Sequence, residues 1–528
     1  MTPVSRTRRD VLLASAASAA SVALSTDFAV ARGAAPTART AAGQVRGLYD
    51  SGIAAFKGIR YGADTAPRRF MPPMRPKPWS GVHDALAYGA SCPQPHSEER
   101  VSEDCLFLNV WTPGLRDGGK RPVMFYIHGG AYSSGSGSAN IYDGVNLCKR
   151  GNVVVVTINH RLNAFGYLSL GMFGDPEFAD SGNAGQLDLI LALEWVRDNI
   201  DEFGGDPNTV MVFGQSGGGA KIATMMAMPA AKGLFHRATT MSGQQVTASG
   251  PLHAQQRTEA YLAALGISKS NLDAIKNVSA EKMVAALKAT DPIVGSGGVY
   301  FGPVLDERSL TRHPFYPDAP PQSADIPMMI GNTHDETRAF ITGPWAYELT
   351  WDQLPDRLAA NMRVDILPSL VIEKYKGWFP GLSPSDLFFL ATTAARSWRA
   401  AVIEDELRAQ AGTPAYAYQV DWPSPLGNGH RRAQHMIDIP LAFDNTDKTG
   451  AITGNGEEAR AMAAIISETF IAFARTGKPD HKDFPVWKPY TMAKRETMVF
   501  NLPSRLENDP RGEQRRLFEK VPFIQLGT

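Results

Sequence analysis

Short apolar runs recur along the chain, separated by helical patterns. Val123-Met124-Phe125-Tyr126-Ile127, Val153-Val154-Val155-Val156-Thr157-Ile158, Val210-Met211-Val212-Phe213, Pro327-Met328-Met329-Ile330 and Ala415-Tyr416-Ala417-Tyr418-Gln419-Val420 read as strands. Continuous apolar runs suit strands covered on both faces, as in a parallel sheet. Between the second and third, Leu189, Leu193, Val196 and Ile200 recur at helical spacing within 187–200. Strand, helix, strand in succession predicts an α/β fold with right-handed crossovers. The stretches 250–295 and 350–410 read as mostly helical and are expected to cap a large, mostly parallel central sheet. With no internal repeat and no low-complexity linker after residue 42, residues 43–528 are expected to form one domain.

Composition narrows the class. The chain has 528 residues, 43% hydrophobic and 20% charged, as in ordinary globular proteins. Lysine plus arginine and aspartate plus glutamate balance at 53 each, so no excess charge points to nucleic acid or a membrane surface. Thr7-Arg8-Arg9-Asp10-Val11-Leu12-Leu13 places two arginines before an Ala-rich apolar run, and Ala29-Val30-Ala31 offers a small-residue cleavage site. Residues 1–31 therefore resemble a twin-arginine export signal, and 32–42 a flexible linker. No later apolar run approaches the roughly 18 residues of a membrane helix. The expectation is a soluble exported protein, periplasmic or extracellular, with oligomeric state left open.

Cys92 and Cys105 flank the polar segment PQPHSEERVSED and are bridged or free; Cys148 reads as a buried small residue. No His/Cys/Asp/Glu cluster has metal-ligand spacing. Gly295-Ser296-Gly297-Gly298 lacks the Lys-Ser/Thr of a phosphate loop.

The chemistry concentrates at Val210-Met211-Val212-Phe213-Gly214-Gln215-Ser216-Gly217-Gly218-Gly219-Ala220. A strand ends, a helical pattern begins, and a serine stands on the turn. Gly214-x-Ser216-x-Gly218 fits a nucleophile elbow, where side chains at the glycines would collide with the neighbouring strand and helix. The Gly217 N–H opens the helix and can donate to a developing oxyanion. A second glycine turn, His128-Gly129-Gly130-Ala131, ends an earlier strand. It matches the loop that supplies the remaining donors. A serine hydroxyl needs a base, and the base an orienting acid; in this fold both follow the serine, acid first.

Phe203-Gly204-Gly205-Asp206-Pro207-Asn208-Thr209 followed by VMVFGQSGG resembles the serine signature of type-B carboxylesterases, α/β-hydrolases that include bacterial esterases and cholinesterases. Glu103-Asp104-Cys105-Leu106-Phe107-Leu108-Asn109-Val110-Trp111 is similar to a second family signature. Phe56-Lys57-Gly58-Ile59-Arg60-Tyr61, Pro78-Trp79 and Phe470 through Thr476-Gly477-Lys478-Pro479 extend the resemblance over about 43–510. It implies Ser216 as nucleophile, Glu336 in Gly331-Asn332-Thr333-His334-Asp335-Glu336 as acid, and His435 in Gln434-His435-Met436-Ile437-Asp438-Ile439-Pro440 as base. Asp335 is the alternative acid and His430, in the polar run GNGHRR, the alternative base. Gly130, Ala131 and Gly217 match the oxyanion hole, Ser242 a serine supporting the triad, and Cys92 with Cys105 the first disulfide.

The chain departs from the family at Gln215, where glutamate is common, at Thr337 and Met436, where glycine is usual, and at Asp438, where glutamate is usual. The Cys92–Cys105 loop has no tryptophan, so the aromatic face that attracts choline is absent and neutral substrates are expected. His160 is read as structural; Tyr132, Met241, Trp422 and Phe443 are pocket or core. The implied activity is hydrolysis of small-molecule carboxylic esters through an acyl-enzyme, with no cofactor or metal. The alternatives are amide, carbamate or thioester cleavage by the same triad, or a binding protein of the same fold.

Overall fold

The computed structural model describes residues 34–362, 364–525 and 527. The export signal expected at 1–31 lies outside them.

Two sheets form. Thr37–Arg39 (β1), Gln44–Arg46 (β2) and Val82–Asp84 (β5) make a small one. Residues 37–39, read as linker, are therefore a strand, held by pairing with β2 and by buried Ala38. The large sheet contains Leu48–Asp50 (β3), Ile53–Arg60 (β4), Phe107–Thr112 (β6), Arg121–Ile127 (β7), Val154–Ile158 (β8), Gly205–Gln215 (β9) and Arg237–Met241 (β10). Met328–Thr333 (β11), Ala415–Val420 (β12), Glu496–Phe500 (β13) and Arg505–Asn508 (β14) complete it. Its order is β14-β13-β12-β11-β10-β9-β7-β8-β6-β4-β3. From β13 to β8 every neighbouring pair is parallel; the flanking pairs are antiparallel.

Both faces of the parallel part are covered. Val123, Phe125 and Ile127 enter one hydrophobic cluster, Met124 and Tyr126 the other; Val210 and Val212 divide from Met211 and Phe213 in the same way. That double burial is why these strands carry no polar alternation. The amphipathic pattern at 187–200 becomes the helix Ala184–Asn199. The 350–410 stretch folds as Leu354–Met362, Pro368–Trp378, Pro384–Thr393, a π-helical turn Ala394–Trp398 and Arg399–Gln410. Leu354, Leu358, Val371, Tyr375, Leu387 and Phe388 give these helices a third core of their own. No described helix is long and apolar enough to cross a membrane.

Register brings the chemistry to one edge. Gln215 pairs with Met241, Met241 with Gly331, and Thr333 with Val420. Ser216, Ser242, Glu336 and the loop carrying His435 all follow these carboxyl ends, the side on which open α/β sheets place their ligands.

Candidate active site

Ser216 stands between β9 and the helix Gly217–Met226 with φ +57° and ψ −126°, a backbone setting few non-glycine residues adopt. Its N–H donates to the Met241 carbonyl at 2.7 Å. Close approach explains the glycines: a Cβ at Gly218 would lie 1.9 Å from the Ile127 carbonyl oxygen, and one at Gly217 2.1 Å from that of Ala131. The second glycine turn thus touches the elbow. Ala131 takes φ +52° and lines one cavity with Ser216, Gly217 and His435. Gly130 is exposed, one residue before Ala131.

Glu336 is fully buried in the turn after β11. The Thr333 N–H donates to its Oε1 at 2.8 Å, and its Oε2 makes a short hydrogen bond with His435 Nδ1. The Asp335 N–H donates to the Ala433 carbonyl at 2.9 Å, tying the two loops together. Asp335 and His430 have other partners. Asp335 meets His334 Nδ1 at 3.1 Å and Arg338 Nε at 3.3 Å instead. The exposed His430 packs on Tyr347, 4.8 Å between ring centres.

Three departures from the family pattern have visible consequences. Met436 takes φ +76°, so the position after the histidine needs the conformation that glycine adopts freely. Thr337 Oγ1 pairs with Thr392 Oγ1 at 2.9 Å and Thr393 Oγ1 at 3.0 Å, anchoring the acid's turn to the helix Pro384–Thr393. Gln215 reaches the imidazole: its Nε2 lies 3.1 Å from His435 Nε2. With Nδ1–H directed at Glu336, Nε2 is the ring's acceptor, and the Gln215 amide donates to it. Among the described residues Ser216 Oγ makes no hydrogen bond to His435, although both line the cavity. Such bonds are often loose before substrate arrives.

A second acid sits behind the first. Burial, with the neighbouring Glu336 charge, pushes Asp438 up to about 8, so its carboxyl is protonated at neutral pH. Ser242 lines the cavity, and its buried Oγ meets no hydrogen-bond partner among the described residues. One expectation needs correction. Cys92 and Cys105 are buried free thiols rather than a disulfide. Hydrogen bonding to Cys92, then burial, pushes the Cys105 thiol up and away from the reactive thiolate, while Cys92 Sγ accepts the Leu162 N–H at 3.3 Å. Cys148 is buried as expected.

The cavity over Ser216 has a volume of about 170 Å³. Of the four pocket candidates only Tyr132 lines it; Met241, Trp422 and Phe443 belong to the core. The reading of the sequence missed Phe340, Arg396, Ala400 and the segment Phe523-Ile524-Gln525. Phe340 packs on the His435 ring at 4.6 Å, and Arg396 stacks over Phe340 at 4.9 Å. Arg396 comes from the π-helical turn, a local irregularity common at functional sites.

The model of the carboxylesterase family matches residues 34–371 and 388–518. The chain is 36% identical to the para-nitrobenzyl esterase of Bacillus subtilis (strain 168) over 490 residues, covering 90% of this chain and 96% of that protein. It is 33% identical to a phenmedipham hydrolase of Pseudarthrobacter oxydans, covering 86% and 93%. Among solved structures, a carboxylesterase of Geobacillus stearothermophilus superposes with a TM-score of 0.81 at 36% identity, covering 91% of this chain and 99% of that one. The chain belongs to the carboxylesterase family and is a serine hydrolase of small-molecule carboxylic esters with the α/β-hydrolase fold.

Proposed function

We propose that Ser216, Glu336 and His435 carry out the ester hydrolysis, with Ala131 and Gly217 as the main oxyanion donors and Gly130 as the third. The observation that carries this reading is the Glu336–His435 hydrogen bond, made by an imidazole that shares one cavity with a serine on a strained elbow. Substrate displaces the Gln215 amide, and His435 Nε2 takes the Ser216 proton as Oγ bonds to the ester carbonyl carbon. Glu336 fixes the imidazole tautomer and stabilises its cation. The backbone N–H groups hold the oxyanion; losing one such donor costs about 3 kcal/mol of barrier. Collapse breaks the bond to the alkoxy oxygen, which leaves with the proton from Nε2. Water then attacks the acyl-enzyme by the reverse route.

The cavity supports neutral alcohol groups over cationic ones, since no described lining residue carries a carboxylate. p-Nitrophenyl butyrate is expected to turn over and butyrylcholine to be a poor substrate. A panel of esters, amides, carbamates and thioesters with matched acyl groups separates the alternative bonds. Ser216→Ala is expected to abolish turnover while leaving the thermal melt unchanged; retained turnover removes Ser216 as nucleophile.

Export by the twin-arginine route is the second part of the proposal, supported by Arg8-Arg9, the apolar run and Ala29-Val30-Ala31. A reporter fused to residues 1–35 is expected outside the cytoplasm. Export that survives Arg8→Lys/Arg9→Lys counts against this route.

A further inference from the structure

A buried lysine lies against the turn that carries the expected oxyanion donors. Lys221 is on the helix Gly217–Met226, one helical turn after Gly217 and on the same face, and its side chain is fully buried. Its Nζ donates to the Ala131 carbonyl at 2.7 Å and to the His128 carbonyl at 3.3 Å. Those two residues begin and end the turn His128-Gly129-Gly130-Ala131, so one ammonium joins both ends. The same ammonium lies 5.3 Å from the centre of the Tyr132 ring.

Nothing acidic offsets this charge. Among the described residues no carboxylate forms an ion pair with Lys221. The groups facing it are basic or neutral. His128 and His160 stack with ring centres 4.7 Å apart. Burial, then the Lys221 charge, holds His128 down to about 3 and His160 well below the usual histidine range. Both imidazoles are therefore neutral. Tyr132 Oη donates to Gln245 Oε1 at 3.1 Å, and the Gln245 N–H donates to Glu404, whose carboxyl burial pushes up to about 8. Burial also holds Lys221 down to about 7. A methionine would fill the same space without the desolvation penalty. What the lysine adds is two directed hydrogen bonds to a turn whose last residue, Ala131, sits at φ +52°.

We propose that Lys221 is a positioning residue for ester hydrolysis: its ammonium clips the carbonyls of His128 and Ala131 and holds the Ala131 N–H on the oxygen that becomes negative in the transition state. The proposal rests on the reading of Ser216 as nucleophile with Ala131 as donor. It acts through the turn and needs no contact with substrate. A group that only aims a donor affects the transition state more than ground-state binding, so kcat should respond and KM should not. The clip is strongest while Lys221 is protonated and weakens as pH rises through the value at which it loses its proton.

The test is steady-state hydrolysis of p-nitrophenyl butyrate by the full chain, comparing wild type with Lys221→Met, Lys221→Arg and Ser216→Ala. Lys221→Met is expected to lower kcat by about 10- to 100-fold, less than the loss of a donor outright, with KM within about threefold. Lys221→Arg, still a cation, should recover part of the loss. Affinity for an aryl trifluoromethyl ketone, whose tetrahedral serine adduct needs the same donors, should fall in parallel with kcat/KM. Wild-type kcat should decline on the alkaline side of neutrality, and that limb should be absent from Lys221→Met. If Lys221→Met does not fold by near-ultraviolet circular dichroism, Lys221→Gln is held to the same criteria. A kcat within twofold of wild type at equal folded fraction, or a fall in kcat with unchanged ketone affinity, overturns the proposal. Turnover retained by Ser216→Ala overturns the underlying reading as well, whatever the lysine variants do.

Discussion

The cavity has two sides of different make. One side is backbone: the elbow at Ser216, the turn ending at Ala131 and the first N–H of the helix Gly217–Met226, pressed together where no Cβ fits. The other side is side chains brought in by separate segments: Phe340 after the acid's turn, Arg396 and Ala400 from the π-turn and its helix, Phe523 to Gln525 from far along the chain. Under the proposed mechanism the first side sets what reaction is possible, because its donors and its serine are fixed by strand ends. The second then sets which ester enters, because its members can change size without moving the sheet.

The sharpest way to break this contrast is at the Glu336–His435 hydrogen bond. Glu336→Gln is expected to cut kcat by about 10³- to 10⁴-fold in p-nitrophenyl butyrate hydrolysis, through loss of the imidazole's orientation and tautomer. Asp335→Asn, one residue earlier, should cost less than about threefold, because that carboxylate serves His334 and Arg338. Equal losses would merge the two acids into one function.

A smaller effect is expected on the side-chain wall. Phe340→Ala and Ile524→Ala should shift the ratio of kcat/KM between long and short acyl esters by about tenfold, with activity on the shortest ester largely kept. A uniform fall on every ester would mean that these residues hold the catalytic groups rather than choose the substrate.

The smallest effect concerns Asp438. Its folded carboxyl holds its proton up to about pH 8, whereas an unfolded aspartate releases its own near pH 4. Below about pH 4 both states are protonated. Between about pH 4 and 8 only the unfolded state gives up its proton, so stability falls as pH rises through that window. Asp438→Asn removes this loss, and its Tm should exceed that of wild type by more at pH 8 than at pH 5. A Tm difference independent of pH would contradict the protonated acid.

The division between the two sides also marks what could be read from residue order. The five apolar runs became β7, β8, β9, β11 and β12 because burial on both faces leaves an unmistakable signal. β10, Arg-Ala-Thr-Thr-Met, escaped notice: Thr239 and Thr240 are fully buried, and their polar character hides the strand. The proposed triad of Ser216, Glu336 and His435 was legible through the family resemblance, which rests on short stretches that follow β9, β11 and β12 in the chain. Phe340, Arg396 and Ile524 were not, since tertiary packing alone brings residues so far apart over one serine. Lys221 lies three residues past the elbow motif, on the helix that it opens. Its role depends on the fold of the turn 128–131, about ninety positions earlier, which no local pattern displays.

The central claim is that an ester's acyl group passes onto Ser216. Rapid-quench peptide mass spectrometry during turnover of p-nitrophenyl butyrate tests it directly. The account predicts a butyryl group on the peptide containing Ser216, appearing before steady state and absent from Ser216→Ala. A butyryl group on any other residue, formed and consumed at the turnover rate, would contradict it.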